Sequence, residues 1–183
     1  MERIIIDDHL YLRAWKEPDT DELFALVQEN RRHLHPWLPW VEKTTRPEHS
    51  RNYILDSLHE IDNQISMGLA IICSGHIAGS VGMHRWNHDT NRAEIGYWIA
   101  KPFEGMGIVS NSLTGFISFL FRHAGLNKLE IHYVAGNTRS EAVGRRLGFV
   151  TEGVIRKSVL HNGLLEDKVI MGLLRTEWTP GKQ

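Results

Sequence analysis

The stretch "IAKPFEGMGIVSNSLTGF", residues 99–116, decides how the chain is read. An apolar strand pattern, "NRAEIGYWIA", runs into Pro102, then into two glycines around Met106, then directly into an apolar helical pattern. In that last segment Val109, Leu113, Phe116, Leu120 and Ala124 recur at helical spacing. A glycine-rich turn that opens a helix is a ready anion site. The first helical N–H groups have no intrahelical partner, and the helix dipole adds partial positive charge there. Gly105 and Gly107 let the backbone approach an anion with no Cβ in the way. No "GK[ST]" follows, so a magnesium-bound nucleoside triphosphate is not indicated, and the G-x-G-x-x-G spacing fails at Ser110. A backbone-cradled pyrophosphate remains, beside the plainer reading of glycines as punctuation.

Upstream, "HLYLRAW" alternates as a strand, with Leu10, Leu12 and Ala14 on one face. "EPDTDELFALVQENRR" reads as a helix in which Asp19 and Glu22 form a capping-type pair. "HLHPWLPWVEKTTRP" holds three prolines and is excluded as a regular helix. A second helix is expected from near Thr45, with Ile54, Leu58, Ile61 and Ile65 as one apolar stripe. "MGLAIICS" and "HIAGSVGMHRW" form a hairpin across Ser74 and Gly75. Downstream, "KLEIHYV" is a strand, and "NTRSEAVGRRLG" is a short helix with a Thr138–Glu141 capping box, stopped by Gly148. "FVTEGVIRKSV" and "LEDKVIMGLL" are two strands around "HNG". The order is β-α-α-β-β-β-α-β-α-β-β, with a helical crossover after "GYWIA". Two strands, "GYWIA" and "KLEIHYV", end at small or polar residues and feed helices. If they lie side by side and splay, the gap holds an extended ligand with its phosphates on the first helix.

The whole chain, 183 residues with 42% hydrophobic and 23% charged residues, is sized for about one domain. Its net charge of −1 argues against a general nucleic-acid or membrane-surface binder. No apolar run approaches the ~20 residues of a membrane span, the N-terminus is too acidic for a signal peptide, and a cytoplasmic protein is expected. Cys73, the sole cysteine, sits in an apolar run and reads as a small buried hydrophobe. The "HLH" at 33–35 has no second cluster at ligand spacing, so no metal is expected.

Three segments, "IGYWIAKPFEGMGIVSNS", "EIHYVAGNTRSEAVGRRLGF" and the "HPWLPW" loop, together resemble the GNAT acetyltransferase superfamily. Within it they resemble the branch of ribosomal-protein N-terminal (serine/alanine) acetyltransferases. The resemblance runs from about residue 8 to 176 and treats 1–183 as one N-acetyltransferase domain. It implies an α+β fold in α/β/α layers, with a mixed, mostly antiparallel sheet and a splayed central strand pair. The implied reaction is transfer of the acetyl group of acetyl-CoA, without a metal, to a primary amine by direct attack in a ternary complex. The expected acceptor is the N-terminal amine of a protein such as a ribosomal protein. Two other readings stay open: a small amine (polyamine, amino sugar or amino acid), and a non-catalytic acetyl-CoA-binding module.

The resemblance also assigns residues. The coenzyme's pyrophosphate falls on the backbone of Gly105, Met106, Gly107, Ile108, Val109 and Ser110, and its pantetheine arm runs along Trp98, Ile99 and Ala100 and meets Asn137. Glu94, on one strand face with Gly96 and Trp98, is the candidate base, and Ser140 the candidate on the thiolate side. Glu94 reads equally well as a strand glutamate in an ion pair, and Ser140 as a first-turn helix serine. Trp37 and Trp40 are expected to wall the acceptor slot, with His84 beside it; His132 and His161 could also assist by position. This chain departs from the family pattern at Glu104 and Val109 in the turn and at Val159, where some relatives carry a glutamate. Glu104 is expected to point away from the bound phosphates. Self-association through the last strands and the tryptophan loop is a further expectation.

Overall fold

In chain order the elements are β1 (Ile4–Ile5), β2 (Leu10–Ala14), α1 (Thr20–Glu29), α2 (Arg31–Leu34), α3 (Trp40–Lys43), α4 (Pro47–Asp62), β3 (Met67–Cys73), β4 (His76–Asn87), β5 (Arg92–Ile99), α5 (Ile108–His123), β6 (Lys128–Val134), α6 (Thr138–Arg146), β7 (Val150–His161) and β8 (Leu164–Leu174). They come from a computed structural model that describes residues 3–180. The strands form one sheet in the order β1-β2-β3-β4-β5-β6-β8-β7, antiparallel throughout except for β5 beside β6. That single parallel pair needs a crossover, and α5 provides it.

Alternation divides the strand residues between two cores. Leu12, Leu69, Val81, Ile95, Leu129 and Met171 pack under α5 with Leu113, Phe116 and Leu120. On the other face Ala70, Ile72, Ile77 and the edge of Trp98 pack under α1 and α4 with Leu23, Val27 and Ile54. The result is the α+β, α/β/α arrangement that the element order implies. Helices α1 and α4 cover only the β2–β4 side, so the same face of β6, β8 and β7 carries none of the described helices over it.

Local details depart from the sequence pattern where tertiary partners compete. The expected Asp19–Glu22 capping pair does not form. Asp19 instead takes a two-pronged bond from Arg13 at 2.6 and 2.9 Å and accepts the Lys16 N–H, while Glu22 reaches β4 and accepts the Ile77 N–H at 2.8 Å. The first long helix breaks at Asn30, and the proline-rich stretch holds two single-turn helices, α2 and α3. Pro47 opens α4, but Ile65 lies beyond its end and is 53% exposed, so it is not part of the stripe. At α6 the expected Thr138–Glu141 box is replaced by Asn137, whose Oδ1 accepts the Ser140 N–H at 3.1 Å.

Candidate active site

Strands β5 and β6 hold together only at their beginnings. Arg92, Ala93 and Glu94 pair with Lys128, Leu129 and Glu130, and the ladder stops there, although both strands continue. A gap therefore opens between them toward their carboxyl ends. The Ala100 N–H turns the other way and donates to Ala78 at 2.8 Å, and the Ala100 carbonyl accepts the Phe103 N–H. By strand alternation the Trp98 backbone also faces β4, while that of Tyr97 and Ile99 faces the gap. Of the three residues expected along the pantetheine arm, Ile99 is thus the one with main-chain groups free to extend the sheet; those of Ala100 are already satisfied within the protein.

Beyond the gap lies the turn. Gly105 and Gly107 both have φ of +74°, and Gly107 is the residue from which α5 starts. A Cβ at Gly107 would meet only Asn111 Nδ2 at 3.9 Å, so conformation rather than crowding requires glycine. The first bond of α5 runs from the Asn111 N–H to the Gly107 carbonyl, which leaves the N–H groups of Ile108, Val109 and Ser110 without acceptors. Met106 is 63% exposed and projects to solvent. Ser110 Oγ accepts a bond from Arg146 of α6 at 3.1 Å, which places a cation at the first turn of α5. Sequence reasoning missed this arginine; its only signal was that Arg139 and Arg146 lie seven residues apart on one helical face.

Glu104 is held among cations. Its carboxylate lies 2.9 Å from Lys101 Nζ and 3.3 Å from His33 Nε2, and Arg139 reaches it from α6. Burial opposes its ionisation, but the Lys101 hydrogen bond and the charges of His33, Arg139 and Lys101 outweigh that and keep it below the ordinary carboxylate range. Its negative charge is therefore compensated locally.

The chemistry-bearing cluster sits where the ladder ends, on the face that α1 and α4 leave open. Glu94 Oε1 lies 3.2 Å from His84 Nε2, and Oε2 lies 3.1 Å from Arg85 and 3.0 Å from His132 Nδ1. His132 Nε2 is in turn 3.0 Å from Glu130, which also meets Arg92 and Lys128. All of these groups except His84 line a cleft of about 410 Å³, together with Ala93, Glu152, Gly153 and Ile170. Burial would raise the Glu94 carboxyl, but the bonds and charges of His132 and His84 hold it well below the ordinary range. Glu94 in turn raises His132 against the opposing effect of burial, with Glu130 adding to it. Glu94 is therefore both ion-paired, as its plainer reading held, and placed at the gap.

The remaining candidates lie outside that cleft. Ser140 stands in the first turn of α6, and its carbonyl accepts the Tyr97 hydroxyl at 3.3 Å across the gap from β5. Burial pushes the Tyr97 phenol up to about 12, so it stays a donor. Asn137 commits its oxygen to the cap and leaves its amide nitrogen without a partner among the described residues. Trp37, 40% exposed, stacks on His161 at 5.0 Å, and Trp40, 39% exposed, lies 6.0 Å from Trp98. The tryptophan loop and the tip of the β7–β8 hairpin thus touch, and neither ring is a core plug. Val159 faces Glu166 across the β7–β8 ladder.

A splayed parallel pair with a glycine turn opening the crossover helix is matched by residues 9–150, which fit the family described as Acetyltransferase (GNAT) domain. The chain belongs to the GNAT acetyltransferase family. It is an acetyl-CoA-dependent N-acetyltransferase. Among its relatives is Bacillus subtilis (strain 168) YdaF, provisionally named a ribosomal N-acetyltransferase, 31% identical over 94% of this chain and 95% of its own. The [Ribosomal protein uS5]-alanine N-acetyltransferase of Escherichia coli (strain K12) is 27% identical over 96% of this chain and 92% of its own. Among solved structures, RimL, a ribosomal L7/L12 alpha-N-protein acetyltransferase in complex with coenzyme A, superposes with a TM-score of 0.92 at 27% identity, covering 94% of this chain and 98% of its own.

The His132 network gives a pH prediction. His132 lies above its ordinary value of 6.5, so its stabilisation is fully present below 6.5 and is lost as pH rises through the raised value. Glu94 and Glu130 lie below 4.5, so theirs is present above 4.5 and is lost as pH falls through the lowered values. The difference in urea-unfolding stability between the wild type and His132→Gln is expected to be largest between about pH 4.5 and 6.5 and to shrink as the pH rises through the raised His132 value. A difference that stays constant through that rise would contradict the ion-paired assignment.

Proposed function

We propose that this enzyme, as one N-acetyltransferase domain, acetylates the N-terminal α-amine of a protein, such as a ribosomal protein, by direct attack within a ternary complex. The observation that carries this reading is the position of the Glu94 cluster. It lies where β5 and β6 part, on a sheet face open along β6, β8 and β7, and farther along β5 on the same face Trp98 meets the half-exposed Trp40 of the tryptophan loop. An open, aromatic-edged approach suits the end of an extended chain better than an enclosed small amine does. The names of the relatives support the same acceptor class.

The residues present fit the coenzyme. The unpaired N–H groups of Ile108, Val109 and Ser110, with Arg146 alongside, would hold the diphosphate, and Arg146 and Arg139 supply positive charge that the altered turn lacks. Ile99 would bind the pantetheine arm as an added strand, with the Asn137 amide beside it. Bound there, acetyl-CoA supplies the activated acetyl group. The Ile99 main chain borders the acetyl oxygen, the Glu94 cluster takes up the proton of the attacking amine, and Ser140 and Tyr97 lie on the sulfur side.

The test offers acetyl-CoA together with a peptide bearing a free N-terminal serine, with spermidine and with free amino acids. Products are read by mass spectrometry. Acetylation of the peptide α-amine in preference to the others is expected; preference for spermidine or an amino acid would overturn the acceptor assignment.

A further inference from the structure

The β4–β5 register is broken by a bulge between His84 and Asn87, and Arg85 within it has φ of +53°. Left-handed backbone at a residue with a side chain is uncommon and costs free energy, and bulges re-aim side chains beside functional sites. Here the effect is specific. In a regular strand His84 and Arg85 would face opposite sides of the sheet, yet both contact Glu94, one on each carboxylate oxygen.

Both Glu94 oxygens have close neighbours: Oε1 lies 3.2 Å from His84, and Oε2 accepts a bond from Arg85 at 3.1 Å and lies 3.0 Å from His132. Neither nitrogen of His132 is open to a substrate: Nε2 bonds Glu130, and Nδ1, 3.0 Å from Glu94 but without a hydrogen bond, is buried; the side chain is 14% exposed. His84 differs. Its Nε2 faces Glu94, no described residue engages its Nδ1, and its side chain is 44% exposed. The ring leans over Gly96, where a Cβ would come 3.2 Å from Cε1 and 3.9 Å from Nδ1. Gly96 lies just past the last paired residue of β5, so the ring overhangs the start of the gap. The Glu94 carboxylate 3.2 Å from Nε2 favours a proton on that nitrogen, which leaves the lone pair on Nδ1.

We infer that His84 is the general base of the transfer, with Glu94 as the positioning residue that favours the tautomer it needs. The inference rests on the acetyltransferase reading and names the atom that acts. The amine nitrogen forms its bond to the acetyl carbon while the carbonyl π pair moves to oxygen. The proton from that nitrogen passes to His84 Nδ1. The pair then returns, the carbon–sulfur bond breaks with its electrons on sulfur, and the sulfur takes up one proton. His84 releases its own to solvent. Arg85 and His132 balance the charge of Glu94, which explains why a carboxylate so placed need not itself accept the proton.

The test compares the wild type, His84→Ala and Glu94→Gln, with acetyl-CoA and a peptide bearing a free N-terminal serine. In His84→Ala, kcat is expected to fall by about 100-fold or more with acetyl-CoA affinity unchanged, and added imidazole should restore part of it. Glu94→Gln should lower kcat less, with no gain from imidazole, because its own ring remains. A His84→Ala variant that keeps kcat within about threefold, or loses it without imidazole rescue while still binding acetyl-CoA, would overturn the assignment. A wild type that acetylates no amine at all would overturn the acetyltransferase reading, and this inference with it.

Discussion

Gly107→Val is expected to weaken acetyl-CoA binding by roughly 100-fold, or about 2.7 kcal/mol, while leaving the protein folded. At φ of +74° a β-branched residue is held in a conformation that costs about 1–2 kcal/mol, and the turn has room to escape it because a Cβ meets nothing closer than 3.9 Å. The escape rotates the free N–H groups of Ile108, Val109 and Ser110 away from their common target. Hydrogen bonds from such donors to a charged group are worth about 1.5–3 kcal/mol each, so losing one or two accounts for the effect. The turn is exposed at Met106 and lies outside the core, so urea unfolding should change far less than affinity does. Wild-type affinity in the variant, measured by titration calorimetry, would contradict the role of the turn.

Gly79→Ala should do the reverse and act through the fold. A Cβ at Gly79 would lie 2.2 Å from the Trp98 carbonyl oxygen and 2.9 Å from the Ile99 Cα. Both are backbone atoms of β5, so the clash cannot be relieved by turning a side chain. The methyl group must push β5 toward the gap that β5 borders. A loss of about 3 kcal/mol is expected, at the upper end of overpacking costs. In a chain of this size that lowers Tm by roughly 6–12 °C. Coenzyme affinity should fall in the same variant, because the strand that moves carries Ile99. An unchanged melting temperature with unchanged binding would show that β4 and β5 are not packed this closely.

How much of this was legible in the sequence follows from the range over which each feature is determined. The strands and long helices were readable because their periodicity is local; "KLEIHYV" is β6 to the residue. The glycine turn was readable for the same reason, since two positive-φ positions and a helix start lie within three residues. Caps were misread where a distant group won. Glu22 serves Ile77, 55 residues away, and Asp19 serves Arg13, so neither was free to cap its own helix. Asn137 rather than Thr138 caps α6 because Thr138 is already the first residue of the helix, one residue earlier than a Thr138 cap requires.

The Glu94 constellation was the least legible. Strand alternation placed Glu94 beside Gly96 and Trp98, but its partners come from β4 and β6, and Arg85 joins them only through a bulge that no alternation rule anticipates. Glu104 stands out as a charge in a phosphate turn; of the partners that compensate it, Lys101 is local, but His33 and Arg139 come from α2 and α6, far along the chain.

In the proposed binding mode, the unpaired amides at the start of α5 hold the diphosphate of acetyl-CoA so that the acetyl group meets an amine at Glu94 and its imidazoles. It is tested most directly by titration calorimetry of the wild-type protein with acetyl-CoA and, in parallel, with acetyl-pantetheine, which carries the same thioester without the diphosphate. Micromolar binding of acetyl-CoA is expected, with binding at least about 100-fold weaker for acetyl-pantetheine. Equal affinities for the two would contradict it.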